Sequence, residues 1–496
     1  MPKPHLVIFN PDQWRGDVLG HVGNPAAVTP NLDQLVATDA VSFRNAFCQN
    51  PVCTPSRCSF MSGWYPHVRG HRTMHHMMRP DEPVLLRTLK ENGYFVWWGG
   101  KNDLVPAQSG FDAYCHVKHR PDPDGLRPMF AMDRQAEWRG EPGADTYYSF
   151  QVGRLPAEDG GHYPDSDWAH VNAAIEQIHR WADQDHDEAE ALCLYLPLTY
   201  PHPPYGVEEP WFSMIDPELL PDRPTGPDPA SAGEPAMLAG IRARQGLTGW
   251  AEDRWRELRA TYYGMCARVD HQLGLVLQAL RDAGLYDDTA LFFFSDHGDF
   301  TGDYGLVEKT QNTFADCLTR VPLIIKPPAS VPTEAGVRDA LAELIDVPAT
   351  IEALTGITPG HTHFGRSLLP VVTGGVDDHR DAVFCEGGRL RGERQAMERE
   401  SRASDDPTGL YWPRLSLQAG DGPEHGKAAM CRTADHKYVH RLYETDELYD
   451  LRADPAETRN MINDPGYADV ARTLSLRLLA WYQETADAVP HQADQR

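Results

Sequence analysis

The chain lacks any apolar run long enough to cross a bilayer, and its nine cysteines include no C-x-x-C spacing. The first absence argues against a transmembrane segment, which needs about 20 mostly apolar residues. The second, with the scattered positions and odd number of the cysteines, argues against a structural zinc site and against a disulfide framework. A reducing compartment is therefore expected for this chain.

Positive charge is scarce as well, because 46 Lys and Arg residues face 72 Asp and Glu residues, for a formal net charge of −26. So acidic a balance argues against nucleic-acid binding, which needs a basic surface. It also provides no long-range attraction for an anionic substrate. Any anion site must therefore be a local cluster of Arg, Lys, His and metal.

The N-terminus lacks the features of a secretory signal peptide. It has neither an apolar h-region nor a small-residue cleavage site, and a short apolar run begins already at Leu6. Cytoplasmic location is therefore expected, with removal of an earlier leader as the alternative. At 496 residues the chain is long enough for one large domain and a smaller one.

Apolar runs that alternate with helical patterns indicate an α/β protein. Continuous apolar runs, typical of buried central strands, occur at residues 6–9, 94–98, 191–196 and 291–295. Helical spacing of apolar residues predicts helices at residues 83–93, 165–183, 251–283 and 468–484.

The stretch Cys53-Thr54-Pro55-Ser56-Arg57 indicates a loop that runs into a helix. Pro55 suits a first helical turn, where no backbone N–H is needed. A helix start offers free N–H groups and partial positive charge, which favour an anionic reaction centre. Arg57 adds a planar fork of donors that matches a tetrahedral oxyanion. A buried cysteine in an ordinary turn is the alternative that this stretch alone leaves open.

Polar residues follow the ends of the predicted strands, where open α/β sheets place their ligands. They are Asp12, Lys101, His202, Asp296 and His297. Two carboxylates and one imidazole suit calcium, magnesium or manganese better than a structural zinc ion. A turn aspartate, a solvated loop lysine and a packed loop histidine are the alternatives for these positions taken one at a time.

These segments resemble the signatures of the type I sulfatases, a family within the alkaline-phosphatase-like superfamily. The pentapeptide at Cys53 matches the C-x-P-x-R pattern of that family, and the sequence around His202 matches P-H-x-P. The block D-H-G-D-F-T-G-D-Y-G-L-V-E-K, which ends at Lys309, resembles the family core. The segments outside the resemblance are residues 105–165, 206–250 and 375–430.

The resemblance also implies the architecture. We expect an α/β fold in which residues 1–375 form a large catalytic domain with a central, mostly parallel mixed sheet flanked by helices. Residues 376–496 are expected to form a smaller α+β subdomain with an antiparallel sheet and a terminal helix. Oligomeric state stays open, and a homo-oligomer with contacts through the C-terminal segment is one possibility.

The resemblance implies hydrolysis of a small anionic sulfate monoester. A maturing enzyme would oxidise Cys53 to formylglycine, whose hydrated aldehyde is the nucleophile. The residues implied for the substrate are Arg57, Lys101, His75, His202 and Lys309, with His202 protonating the leaving alcohol. The residues implied for one divalent ion, expected to be calcium with manganese or magnesium as alternatives, are Asp12, Gln13, Cys53, Asp296 and His297.

Two positions depart from the sulfatase pattern. Gln13 stands where a second aspartate is usual, which is closer to the phosphonate monoester hydrolases and phosphodiesterases of the same superfamily. Asp103 stands where a histidine follows the lysine of the G-K-x-H motif, so the base of the second step differs. The nearer alternative function is therefore phosphonate monoester or phosphodiester hydrolysis. The farther one is a binding protein in which Cys53 is never oxidised.

Overall fold

The computed structural model of the protein describes residues 3–127, 132–157, 161–187, 190–228, 231–398, 405–491, 493 and 495. Within these residues, no helix combines the length and apolar character that crossing a membrane requires. All nine cysteines lie in the described part, and each is a buried free thiol.

Strands and helices alternate along most of the described chain. The strands are β1 (His5–Asn10), β2 (Val41–Phe47), β3 (Tyr94–Gly99), β4 (Val117–His119), β5 (Gln151–Arg154), β6 (Ala191–Pro197), β7 (Tyr205–Val207), β8 (Thr289–Phe294), β9 (Arg320–Val321), β10 (Leu323–Lys326), β11 (Gly336–Glu343), β12 (Val383–Gly387), β13 (Ala428–Arg432), β14 (His436–Arg441) and β15 (Glu447–Asp450). The α-helices are α1 (Pro30–Thr38), α2 (Cys53–Ser62), α3 (Pro66–Arg69), α4 (Leu85–Glu91), α5 (Met132–Arg139), α6 (Ser166–Ala182), α7 (Trp211–Met214), α8 (Ala236–Gln245), α9 (Glu252–Asp282), α10 (Asp316–Thr319), α11 (Asp346–Thr355), α12 (Leu369–Val372), α13 (Trp412–Gln418) and α14 (Ala468–Thr485).

A nine-stranded mixed sheet forms the centre of the large domain, with strand order β11-β2-β10-β8-β1-β6-β3-β4 and β9 paired to β2. Strand β1 lies between β6 and β8 and is parallel to both. The pairs that involve β10 or β9 are antiparallel. The predicted α/β fold with a mostly parallel mixed sheet is therefore confirmed.

Both faces of this sheet are buried, because successive side chains of a strand point to opposite sides. In β1, Val7 and Phe9 join an apolar layer that includes residues of α6 and α9. Leu6 and Ile8 join a second layer that includes residues of α2, α4 and α11. This double burial explains why the strand is apolar at every position and not at alternate ones.

The predicted helices are present with small differences at their ends. Helices α6, α9 and α14 match the predicted ranges to within one residue at each end. Helix α4 is two residues shorter at each end than predicted. Val84 precedes α4 with extended backbone angles, and the helix starts only after the Pro83-Val84 pair.

A second, antiparallel sheet has the strand order β12-β13-β14-β15. Helix α14 packs on one face of this sheet, where Phe384 stacks on Trp481 with ring centroids 4.7 Å apart. The predicted C-terminal antiparallel sheet is confirmed. It includes β12 and most of β13 from residues 375–430, the segment outside the resemblance to the family. The division of the chain at residue 375 stays a prediction.

A buried ionic cluster holds the start of the C-terminal part against the large domain. Arg380 donates from Nε to an Asp346 carboxylate oxygen at 2.9 Å, and its Nη1 lies 2.9 Å from Glu343. His379 lies 3.0 Å from the same aspartate. Burial alone would raise the pKa of Asp346, but Arg380 and His379 hold this pKa well below its usual value.

Replacement of Asp346 with asparagine is expected to lower the free energy of unfolding by about 3 kcal/mol, because it removes one of the two carboxylates that neutralise the buried Arg380 and leaves Glu343 alone to do so. The lowered pKa of Asp346 means that its contribution is complete above the unfolded value of about 3.9 and is lost as pH falls below that value. Urea unfolding at neutral pH and at pH values below about 3.9 measures both effects. The exposed Asp339→Asn change, which removes a surface pair with Arg44, is the control and should cost under about 1 kcal/mol.

Candidate active site

The carboxyl ends of four neighbouring parallel strands deliver most of the predicted site residues. Strands β3, β6, β1 and β8 lie side by side in register. Lys101, His202, Asp12 and Asp296 follow these strands in that order. Because the strands point the same way, the loops that leave them meet at one edge of the sheet.

Cys53 is the first residue of α2, and Val52 is its extended N-cap. The helix is buried along its whole length, so its start is fixed by packing. Ser56 reinforces the placement, since its hydroxyl donates to the Asp296 carbonyl oxygen at 2.6 Å. The loop-to-helix prediction for this stretch thus matches the geometry, and Pro55 lies in the first turn.

Four buried residues form a group that could hold a metal ion. Ligand atoms of Asp12, Cys53, Asp296 and His297 all lie within 4.8 Å of one another. The Cys53 sulfur is 3.2 Å from His297 Nε2 and 3.6 Å from an Asp12 oxygen. Two carboxylates and one imidazole in so small a space fit a hard divalent cation.

The backbone carbonyl group of the next residue sets the tautomer of His297. Its Nδ1 donates to the Gly298 carbonyl oxygen at 2.9 Å, which leaves the Nε2 lone pair facing Cys53 and Asp12. Burial lowers the pKa of His297 although Asp296 opposes the shift. A neutral imidazole with a free Nε2 is the form in which histidine binds metals.

Arg57 lies behind the acids and does not line the cavity described below. Its Nε donates to Asp296 at 2.9 Å, its Nη2 to Asp12 at 3.1 Å and its Nη1 to Asn10 at 3.0 Å. The predicted role of Arg57 as a donor to the substrate oxyanion is therefore revised. With its donors on these side chains, Arg57 orients the carboxylates.

Lys101 connects the acids to the cavity. Its ammonium group is 2.5 Å from Asp12 and 3.1 Å from Asp103. Burial alone would raise the pKa of Asp12, but the surrounding cations, led by Lys101, hold this pKa well below its usual value. Burial opposes the charge of Lys101, yet Asp103 and Asp12 keep its pKa well above the ordinary value. Both groups are therefore ionised near neutral pH.

Lys309 connects two further predicted residues. It donates to Gln13 Oε1 at 2.6 Å, and its ammonium group is 2.8 Å from His202 Nε2. His202 Nδ1 donates to the Pro203 carbonyl oxygen at 2.6 Å, so Nε2 is the acceptor. Burial and the Lys309 charge lower the pKa of His202 well below its usual value, and the imidazole is neutral.

The orientation of the Gln13 amide comes from Asp299. Gln13 Nε2 donates to Asp299 at 2.5 Å, and the same carboxylate accepts from the Tyr205 hydroxyl at 2.7 Å. These contacts turn Gln13 Oε1 towards Lys309. The backbone of Gln13 is in the left-handed region, with φ of 69°. A direct bond from Gln13 to the ion stays a prediction.

The thiol of Cys53 is poorly suited to act as a nucleophile itself. Burial, helped by the negative charge of Asp12, raises its pKa far above the ordinary value. A protonated thiol is a weak nucleophile and a weak metal ligand. The geometry therefore places an unreactive cysteine at the point where the cluster and the helix start converge.

A cavity of about 380 Å³ opens above the cluster. Its lining residues are Val52, Cys53, Met74, His75, Lys101, Asp103, His202, Glu308, Lys309, Glu398, Leu410, Tyr411, Arg414 and Leu415. Of the histidines at positions 71, 75 and 76, His75 lies on this wall. His71 instead pairs with Glu82 at 2.9 Å, and the His76 ring contacts Thr73.

A family model described as Sulfatase matches residues 4–357. The chain belongs to the sulfatase family. The family indicated by the C-x-P-x-R and D-H-G-D segments is thus confirmed, and with it the alkaline-phosphatase-like superfamily. Members are sulfuric ester hydrolases that generally use a metal ion and formylglycine, and the buried Asp, Cys, Asp and His group of this sulfatase has the composition that such an ion needs.

Several relatives extend over nearly the whole sulfatase. The multifunctional alkaline phosphatase superfamily protein PehA of Trinickia caryophylli is 27% identical, covering 98% of this chain and 96% of that protein. The choline-sulfatase of Rhizobium meliloti is 26% identical, covering 100% of this chain and 90% of that protein. The crystal structure of a phosphonate monoester hydrolase of Agrobacterium radiobacter superposes with a TM-score of 0.72 at 24% identity, covering 99% of this chain and 100% of that chain.

The sequence analysis missed several residues of the cavity wall. Glu398, Tyr411 and Arg414 lie in the segment that resembles nothing in the family, and no periodicity or motif marks them. Glu308 and Asp299, by contrast, lie in the block that resembles the family core. Glu308 directly precedes Lys309, and Asp299 ends the D-H-G-D motif. These positions are the sequence signals that could have identified both residues.

Proposed function

We propose that this sulfatase hydrolyses sulfate monoesters through a formylglycine formed from Cys53 and with the help of one divalent cation. The observation that carries the proposal is the convergence of Cys53 with Asp12, Asp296 and His297 at the start of a buried helix. Calcium is the expected ion because the acids offer hard oxygen ligands, with manganese or magnesium as alternatives.

Two groups would supply chemistry that the unmodified chain lacks. A hydrated formylglycine would supply one hydroxyl for attack on sulfur and a second hydroxyl whose deprotonation expels sulfate. A divalent cation held by Asp12, Asp296 and His297 would supply Lewis acidity towards the ester oxygen.

The chain's own residues bind the ester and prepare it for attack. We propose that Lys101 and Lys309, which line the cavity as ammonium groups, hold the sulfate oxygens and stabilise the charge that develops there. Arg57 holds the two metal-site carboxylates in place from behind. Asp103 lines the cavity next to Lys101 and is proposed to accept the proton of the second hydroxyl.

The leaving alcohol needs a proton, and His202 is the group proposed to deliver it. Its Nε2 lies 2.8 Å from Lys309 Nζ and therefore at the cationic wall that receives the ester. We propose that the negative charge of the bound ester favours uptake of a proton from water by His202, which then passes this proton to the departing oxygen. Lys309 keeps its own proton and its positive charge throughout.

Replacement of His202 with glutamine is expected to lower kcat/KM for an alkyl sulfate by about 10²- to 10⁴-fold, the usual range for loss of a general acid. The loss should be much smaller for para-nitrophenyl sulfate, because nitrophenolate departs without a proton. Steady-state kinetics on both esters with matured protein measures the difference. Equal losses on the two substrates would show that His202 acts on binding and not on the leaving group.

A second candidate is hydrolysis of phosphonate monoesters, and Gln13 is the observation that favours it. A neutral amide stands where an acid is usual in sulfatases, and the structural neighbour with this activity has the same fold. Sulfate monoesters and phosphonate monoesters both present one negative charge on a tetrahedral centre, so the cationic wall accepts either.

Parallel assays of an aryl sulfate and an aryl phosphonate monoester on the same matured preparation test the choice. The proposal expects the larger kcat/KM for the sulfate. A reversed preference would assign the protein to phosphonate ester hydrolysis. A complete absence of turnover, with Cys53 still unconverted after coexpression with a maturing enzyme, would favour a binding protein.

The remaining proposals concern partners and location. A formylglycine-generating enzyme is proposed as the partner that converts Cys53. Cytoplasmic location is proposed because the nine cysteines, which are all buried free thiols, suit a reducing compartment. A homo-oligomer that uses the C-terminal segment is proposed, and its test is the molar mass in solution by light scattering.

A further inference from the structure

The outer wall of the cavity is formed by residues of the segment that has no counterpart in the family pattern. Leu410, Tyr411, Arg414 and Leu415 lie there together with Glu398. The groups proposed to act on the ester line another part of the same cavity, and they are Cys53, Lys101, His202 and Lys309. Groups on the outer wall are therefore placed to contact the alcohol part of the substrate.

The acidic groups of this cavity already have ionic or hydrogen-bond partners. Asp103 lies 3.1 Å from Lys101. Glu308 lies 3.1 Å from the Lys309 ammonium group. Glu398 lies 3.4 Å from His75 and also accepts the Met74 backbone N–H at 3.1 Å. None of these carboxylates therefore stands ready as the main attraction for a cationic alcohol.

Arg414 contributes buried guanidinium donors to this wall. Its Nε and Nη1 are buried and have no hydrogen-bond partner among the described residues. The nearest carboxylate is Glu308 at 3.6 Å, beyond hydrogen-bond range and already paired with Lys309. The side chain is only 12% exposed. Buried donors without partners are costly, which makes a bound ligand the natural acceptor.

The helix that carries Arg414 is held firmly in place. Leu417 of α13 packs against α8 so closely that a Cβ on Gly240 would lie 2.9 Å from its side chain. On the side of α8, Arg244 stacks over Trp412 at 5.5 Å and donates to the Ser416 hydroxyl at 2.9 Å. Arg414 is thus presented from a rigid support, as a recognition group requires.

We propose that Arg414 binds a second anionic group, a carboxylate or another sulfate, on the alcohol portion of the ester. The preferred substrates are then sulfate esters of alcohols that are themselves acidic. Only the Glu308 carboxylate separates Arg414 from Lys309, so the second anion and the ester belong on the same ring or on adjacent rings. This proposal rests on the proposed function, because it names the substrate class of the same site.

The test compares matched aryl sulfates on matured protein. The acidic substrates are meta- and para-carboxyphenyl sulfate and hydroquinone bis-sulfate, and the neutral references are the corresponding carbamoylphenyl sulfates. Each is assayed with wild type, Arg414→Gln and Arg391→Gln. The different intrinsic reactivities of the esters contribute the same factor to the acidic-to-neutral ratio of kcat/KM in every variant. Comparison of this ratio between variants therefore isolates the guanidinium.

Arg414→Gln is expected to lower this ratio by about 10- to 100-fold, the range for a hydrogen bond to a charged group, mainly through KM. Arg391→Gln, which removes an exposed arginine of the same segment that lies over Tyr443, should leave the ratio within about two-fold of wild type. Equal ratios in wild type and Arg414→Gln would overturn the proposal. A fall of the same size in Arg391→Gln would overturn it too, since it would assign the effect to the net charge of the segment and not to Arg414. Comparison of the effect of Arg414→Gln on the carboxyphenyl sulfates with its effect on hydroquinone bis-sulfate shows which second anion Arg414 prefers.

Calorimetric binding separates this inference from the proposed reaction. The Cys53→Ala protein, alone and combined with Arg414→Gln, is titrated with para-carboxyphenyl and para-carbamoylphenyl sulfate. Tighter binding of the carboxylate that disappears in the double variant supports the role of Arg414, even if no sulfate ester is turned over. Identical affinities of the two esters would contradict it, whatever the outcome of the activity assays.

Discussion

Cys53→Ala is expected to lower kcat for a sulfate ester by at least about 10⁴-fold, the scale of loss when a nucleophile is removed. The reason is that no other side chain near the cluster can replace it. Lys101 and Lys309 hold their protons, and the His202 lone pair is engaged by Lys309. Steady-state assays with an aryl sulfate on protein produced with a maturing enzyme give the measurement.

The fold is expected to survive this change, because alanine suits a helical first turn and the cavity adjoins the removed sulfur. Circular dichroism and thermal unfolding provide that check. Cys58→Ala is the matched control, since Cys58 is also a buried thiol of α2 but lies outside the metal-site group. Full activity in Cys53→Ala, or an equal loss in Cys58→Ala, would show that the nucleophile has been assigned wrongly.

Asp296→Asn is expected to reduce bound divalent metal from about one ion per chain to a small fraction and to lower kcat/KM by about 10³-fold. The substitution removes one of the two carboxylate ligands that Arg57 orients. It also leaves the Arg57 guanidinium, only 1% exposed, with a weaker partner. Plasma mass spectrometry of the purified protein measures the metal, and this readout is independent of turnover.

Asp270→Asn is the control for Asp296→Asn. Asp270 is equally buried, but it accepts from the backbone and side chain of Asn31 at the start of α1, far from the cluster. Any effect of losing a buried carboxylate in general should appear in both variants as lower thermal stability. Metal content should fall only in Asp296→Asn. Unchanged metal in Asp296→Asn would remove this residue from the ligand set.

The core of the site could be predicted because each of its residues follows a recognisable strand. Asp12 and Asp296 come directly after apolar runs that only a doubly covered parallel strand explains. Once those strands are adjacent and parallel, their carboxyl ends must meet, and the two acids meet with them. Cys53 could be added because it opens the C-x-P-x-R segment that resembles the sulfatase signature.

Other features depend on contacts that sequence spacing does not encode. Arg57 has the right chemistry for an oxyanion, but two buried carboxylates compete for its donors and hold it behind the cluster. His202 was predicted as an acid, yet its protonation depends on the distant Lys309. Arg414 belongs to a loop-rich segment whose position is set by the packing of α13 on α8. Because this packing joins elements that are distant in the sequence, the local sequence pattern does not predict it.

The central claim is that residue 53 acts as formylglycine, and tandem mass spectrometry of the peptide that contains it tests this claim most directly. Preparations made with increasing amounts of maturing enzyme should show an increasing fraction of a species lighter by about 18 Da, the difference between cysteine and formylglycine. The account predicts that kcat rises in proportion to this fraction and extrapolates to zero without it. Full sulfatase activity in a preparation whose residue 53 is entirely unconverted cysteine would contradict the account.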